Sequence, residues 1–205
     1  MSSEILLATR SADKAAEIVE VLAGTTRMRL VTLADLSVEP DPAEDDVEQH
    51  DSFIGNALAK ARYFADRTGR PVLADDSGLM VDALGGLPGV RTKRFALDHG
   101  IAGKDVDQAN NDLLLARLRR VPDERRGAQY ICAAALVKPG GAALTAIGSC
   151  SGVIGHERRG TGGFGYDPLF IFPELQVTFA ELTRAQKNAH SHRAKAFRAL
   201  ASHLK

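Results

Sequence analysis

The residues best suited to chemistry are the paired carboxylates Asp75-Asp76, followed at once by Ser77 and Gly78. Two adjacent carboxylates offer hard oxygen ligands to a divalent cation, or an acid–base group beside a charged neighbour. They follow Val72-Leu73-Ala74, a short apolar run opened by Pro71, which predicts a buried strand ending in an Asp-Asp-Ser-Gly turn. Open α/β sheets bind ligands at the carboxyl ends of their strands. Alternation along a strand points Asp75 and Asp76 to different sides. A solvated turn capping a helix accounts for the same residue types.

A second set, Thr9-Arg10-Ser11-Ala12-Asp13-Lys14, follows the apolar run Glu4–Ala8 and opens a helix reaching about Ala23, with Ile18, Val21 and Leu22 as its buried stripe. Hydroxyls and cations at a helix N-terminus suit a phosphate; ordinary N-capping by Ser11 explains the pattern equally. The loop contains no glycine, which excludes a Walker loop and a dinucleotide fingerprint. Gly162-Gly163-Phe164-Gly165-Tyr166-Asp167-Pro168 is the third set. Its glycines permit close backbone approach, an aromatic ring can stack on a planar base, and Asp167 can accept from ring or amino N–H groups; a hairpin tip with Phe164 tucked inward is the alternative. Thr183-x-x-Gln186 is a capping box opening a C-terminal helix, with Lys187, Ser191, His192 and Arg193 on its first two turns.

The remaining elements place these sets. Met28–Leu33 reads as a second strand. Asp51–Thr68 reads as a helix, with Asn56 and Lys60 four apart on a face distinct from its apolar one. The stretch Asp35–Asp51 is acidic and mostly solvated, though one of its carboxylates could ligate a metal. Leu84–Gly89 is a turn-rich loop leading into the basic cluster Arg91, Lys93 and Arg94. Asp105–Arg120 is a further helix. Tyr130–Val137 and Ala143–Ile147, separated by Gly140-Gly141, predict an antiparallel hairpin. The β-α-β opening followed by a hairpin predicts an α/β fold on a mixed sheet.

Composition bounds the function. The 205 residues suit one domain or two packed lobes. Lys and Arg balance Asp and Glu, 26 against 26, which argues against bulk electrostatic binding to nucleic acid or an anionic membrane. Cys132 and Cys150 lie in apolar stretches without metal-ligand spacing and read as core thiols in a reducing compartment. No stretch is long and apolar enough to span a bilayer, so the cytoplasm is the expected location.

Six stretches together resemble the non-canonical purine nucleoside triphosphate pyrophosphatases, the ITP/XTP pyrophosphatase family: Ala8-Thr9-x-x-x-x-Lys14, Phe53-x-x-Asn56-Ala57-x-x-Lys60-Ala61, Ala74-Asp75-Asp76-Ser77-Gly78-Leu79, Leu84-Gly85-Gly86-x-Pro88-Gly89, Gly162-Gly163-Phe164-Gly165-Tyr166-Asp167-Pro168-x-Phe170 and Lys187-x-x-x-Ser191-His192-Arg193. They span nearly the whole chain in the family's order. The resemblance implies an elongated two-lobed α/β fold with a cleft between the lobes, a homodimer, a Mg²⁺ requirement, and hydrolysis of ITP, dITP and XTP to monophosphate and pyrophosphate. It assigns Thr9, Arg10, Ser11, Ala12, Asp13, Lys14 and Lys60 to the triphosphate, with Asp76 as catalytic carboxylate. Glu48 and Asp76 become metal ligands and Ser77 a substrate contact. Phe164, Gly165, Tyr166, Asp167, Lys187, His192 and Arg193 become the base pocket. Departures occur where the family has Gly-Asn and this chain has Arg10-Ser11, and at His50 and Gly55, where the family has Gly and Glu. Competing readings are a septum-inhibitor-like pyrophosphatase for modified nucleotides and a non-enzymatic nucleotide-binding module.

Overall fold

A computed structural model describes residues 4–103, 105–141 and 143–204. Seven strands form one sheet in the order β2-β1-β3-β4-β5-β6-β7: β1 (Glu4–Leu7), β2 (Arg29–Thr32), β3 (Val72–Val81), β4 (Gly127–Val137), β5 (Ala143–Ile154), β6 (Phe170–Phe172) and β7 (Val177–Thr178). The helices are α1 (Ala12–Leu22), α2 (Phe53–Thr68), α3 (Phe95–Asp98), α4 (Val106–Leu118), α5 (Arg184–His190) and α6 (His192–Ala201). Two compact units arise, one from residues up to Asp76, Cys132–Gly148 and His192 onward, the other from Ser77–Ile131 and Ser149–Ser191.

In the first unit β1 runs parallel to both β2 and β3. The crossover through α1 leads from β1 to β2, and that through α2 returns past β1 to β3. Right-handed crossovers in opposite directions put their helices on opposite faces. The alternation of β1 and β3 obeys this. Ile5, Leu7 and Leu73 pack with Ile18, Val21, Phe197 and Leu200 of α1 and α6. Leu6, Ala8, Val72 and Ala74 pack with Ala57, Ala61, Phe64 and Ala65 of α2. Ser11 caps α1, its hydroxyl accepting from the Lys14 N–H at 3.3 Å. Ser52 caps α2, and Gly69 ends it at φ +64°.

The second unit has an aromatic core of Tyr130, Phe170, Phe172 and Phe179, with Leu79, Val81, Leu114 and Leu118 around it. Buried Arg126 donates to the carbonyls of Leu118, Ile154 and Gly155, satisfying chain ends that the short loops leave open.

Three sequence expectations need correction. β3 does not end at the carboxylates. It runs through Asp75, Asp76 and Ser77 to Val81, because Leu79 and Val81 are fully buried apolar anchors that override the weak strand preference of Asp, Ser and Gly. The C-terminal helix is two helices: Ser191 leaves the helical region at ψ 150°, so α6 starts afresh at His192. β5 continues to Ile154, and the pair β6–β7 was too short for its pattern to register. Cys132 and Cys150 are both buried, as expected of core residues.

Candidate active site

The strand period divides the paired carboxylates. Asp75 shares the Leu73 face and meets α1 and α6. Asp76 shares the Ala74 face and meets α2. Asp75 is wholly buried and forms ion pairs with Lys14 Nζ at 3.2 Å and Arg193 Nε at 3.4 Å. Burial alone would push its carboxyl up, but Lys14, Arg193 and Lys60 outweigh that and hold it well below the usual carboxylate range. Arg193 is almost fully buried and also donates to Glu17 Oε2 at 2.5 Å, so α1 and α6 are joined through a charged network ending on β3.

Asp76 behaves oppositely. Its Oδ2 accepts from Asn56 Nδ2 at 2.9 Å, and Asn56 Oδ1 in turn accepts from the His50 N–H at 2.8 Å. Burial raises its pKa to about 6, and the charge of Glu48 adds to this against the Asn56 hydrogen bond and the charges of Lys14 and Lys60. Lys60 pairs with Glu48. Burial works against its charge, yet Glu48, Asp75 and Asp76 together raise its pKa. One carboxylate is thus locked as an anion, and its neighbour is poised near neutrality.

Glu48 and Asp76 present oxygen donors of the kind Mg²⁺ takes. Asp76 feels the charge of Glu48, which a divalent cation would relieve. Among the described residues no group of three His, Cys, Asp or Glu side chains closes on a common point.

In the second unit, Lys187 is buried and bonded to Asp167 Oδ2 at 2.5 Å, with its ammonium 4.7 Å from the Phe164 ring centroid and 5.8 Å from that of Phe179. Asp167 also accepts from the Phe164 N–H at 3.0 Å and from the Tyr130 hydroxyl at 3.3 Å. Gly163 takes φ +70° and lies against this carboxylate: a Cβ there would sit 2.1 Å from Asp167 Oδ2. The Tyr166 hydroxyl donates to the Thr92 carbonyl at 2.9 Å. The result is an aromatic shelf with the buried Lys187 ammonium against it.

The Ham1 family profile matches residues 5–203. The chain belongs to the Ham1 family. It is 48% identical over 200 residues to a dITP/XTP pyrophosphatase of Nocardia farcinica, covering 97% of this chain and 93% of the relative. It is 47% identical over 202 residues to one of Frankia alni, covering 98% and 96%. A Ham1 protein structure from Coxiella burnetii superposes with a TM-score of 0.83 at 37% identity, covering 98% of each chain.

Within this Ham1 chain the residues singled out from sequence divide into groups. Lys14, Lys60, Glu48, Asp76 and Arg193 gather around the carboxylates of β3 in the first unit. Phe164, Gly165, Tyr166, Asp167 and Lys187 gather in the second. The chain passes between units four times, at Asp76–Ser77, Ile131–Cys132, Gly148–Ser149 and Ser191–His192. Thr9 and Ser11 form the turn before α1, with Thr9 Oγ1 accepting from the Ser11 N–H at 3.2 Å. Ala12 and Asp13 are exposed on the first turn of α1. Arg10 is fastened elsewhere: its guanidinium donates to both Glu44 oxygens, at 2.6 and 3.0 Å, and to the carbonyls of Val38 and Glu39. Asn56 was visible in sequence on the Lys60 face of its helix and in the family-like stretch around it, but with no role assigned to it. Glu17 and Glu44 carried no signal, because acidic residues on a helix and in an acidic loop read as solvated.

Proposed function

We propose that this chain hydrolyses ITP, dITP and XTP to the nucleoside monophosphate and pyrophosphate, clearing deaminated purines from the nucleotide pool. The observation that carries this is the electrostatic split on β3, where anionic Asp75 sits beside the poised Asp76 within the field of Lys14 and Lys60. Relatives nearly half identical bear the name dITP/XTP pyrophosphatase. Lys14 and Lys60 neutralise phosphate oxygens. Asp75 fixes Lys14 and Arg193 and stays ionised. Asp76 orients a water and takes its proton as the oxygen attacks the α-phosphorus in line; the α-phosphorus bond to the bridging oxygen breaks, and pyrophosphate leaves. Glu48 and Asp76 would hold Mg²⁺, which when bound screens the triphosphate and the leaving pyrophosphate.

Base choice belongs to the aromatic shelf. The Phe164 ring offers a stacking face, and Lys187 offers a donor to the 6-keto oxygen of hypoxanthine or xanthine. Adenine presents an amino donor there instead, so donor meets donor, a penalty of about 1–3 kcal/mol. The family resemblance also supports a homodimer in the cytoplasm. No helix among the described residues is long and apolar enough to cross a membrane.

Phosphorus NMR of the products tests the reaction. ITP must give IMP and pyrophosphate, and Asp76→Asn must abolish most turnover with the fold intact. Release of IDP and orthophosphate, or near-normal turnover by the variant, would overturn the reading.

A further inference from the structure

The glycine-rich loop is held partly from outside itself. Gly165 lies at φ +62°, between the two aromatic residues of the shelf. Both polar groups of Gly165 are engaged by one helix. Its N–H donates to Asp107 Oδ2 at 2.7 Å, and its carbonyl accepts from Asn111 Nδ2 at 2.9 Å. Asp107 and Asn111 are four apart on α4 and so share a face. Asn111 Nδ2 also donates to the Asp107 carbonyl at 2.8 Å, tying the loop to the helix backbone. Asn111 is buried, and its Oδ1 has no hydrogen-bond partner among the described residues. Only its donor end is used. The adjacent Asn110 fixes the segment beneath in the same way, accepting from the Ala96 N–H at 2.8 Å and donating to the Lys93 carbonyl at 3.1 Å.

We infer that Asp107 and Asn111 are positioning residues for base recognition. They clamp the polar groups of Gly165 and hold Phe164 and Tyr166 in place without touching substrate. This rests on the reading that the aromatic shelf receives the base. A loop with glycines at 162, 163 and 165 is conformationally free in isolation. Unclamped, it would pay its ordering entropy at every binding event; clamped, it presents a formed shelf.

The test uses the full chain with Mg²⁺ and combines steady-state ITP hydrolysis with amide hydrogen exchange. Asp107→Ala removes the acceptor, and Asn111→Asp sets a carboxylate against two carbonyls at constant shape. Each raises the KM for ITP about tenfold and leaves kcat within about twofold, since one interaction worth a hydrogen bond is lost before chemistry. Exchange quickens at Phe164, Gly165 and Tyr166, while the amides of β1 and β3 hold, as does the Tm of Asp107→Ala. Asp107→Asn keeps an oxygen acceptor and restores most of the wild-type KM. Unchanged exchange at Gly165 in both disruptive variants overturns the clamp. So does an unchanged KM, or a fall in kcat that tracks a general loss of Tm. Wild-type turnover of ITP tests the functional reading separately, and the exchange arm decides the clamp whichever substrate is used.

Discussion

Replacing Asp76 by Asn tests the electrostatics of β3 at nearly constant shape. Asp76 is only 7% exposed. Burial, reinforced by Glu48, lifts its carboxyl from 3.8 to about 6 in the folded chain. Because the folded value lies above the unfolded one, the native state holds the proton more tightly. The associated stability is fully present below the unfolded value and is lost as pH rises through the folded one. A shift of about two units corresponds to about 3 kcal/mol. Asn cannot ionise, and its oxygen can still accept from Asn56. Metal-free Asp76→Asn therefore gains on wild type as pH rises, by up to about 3 kcal/mol between about pH 4 and pH 8. Urea unfolding in a chelator, read as the difference between the two proteins at several pH values, measures this directly. Adding Mg²⁺ then stabilises wild type far more than the variant. A difference independent of pH, or a wild type that gains on the variant as pH rises, refutes the reasoning.

Gly55 and His50 form a steric pair: a Cβ at Gly55 would lie 2.8 Å from His50 Cβ and 2.9 Å from Ser52 Oγ. Gly55→Ala therefore loses about 1–3 kcal/mol through overpacking, although alanine gains about 1 kcal/mol in a helix, and His50→Gly recovers most of the loss. Equal unfolding midpoints for the single and double variants would dismiss the coupling. Glu17→Ala strips a carboxylate from a fully buried guanidinium and costs about 3–5 kcal/mol of stability, whereas a loss under about 1 kcal/mol would show the pair to be dispensable. Burial, with Asp75 beside it, pushes the Cys132 thiol far up, so thiol reagents at neutral pH leave Cys132 unmodified until the chain unfolds; mass spectrometry of the native protein checks this.

Much of this architecture is local and so legible in the chain. The apolar run Glu4–Ala8 and the stripes of α1 and α2 mark the strand and helices of the first unit, and Ser11 and Thr183 mark helix starts by capping chemistry that acts within three residues. β3 misled because Asp-Asp-Ser-Gly has turn composition, and only the burial of Leu79 and Val81 keeps it extended. The two-residue strand β7 has no period to detect. At the site, Lys14, Lys60 and Asp76 announce themselves by type and spacing. The partners that decide their charge states do not, since Glu17 is three residues from Lys14 but 176 from Arg193. Arg10 shows the converse: its position beside a helix N-terminus suits phosphate, yet Glu44, 34 residues away, holds its guanidinium.

The central claim is Mg²⁺-dependent cleavage of a deaminated-purine triphosphate. Pyrophosphate release from ITP, with GTP and ATP as controls, with and without Mg²⁺, tests it most directly. Rapid release from ITP that requires Mg²⁺, with little from ATP, is the predicted result. Release that ignores Mg²⁺, equal release from ATP, or none from ITP would contradict it.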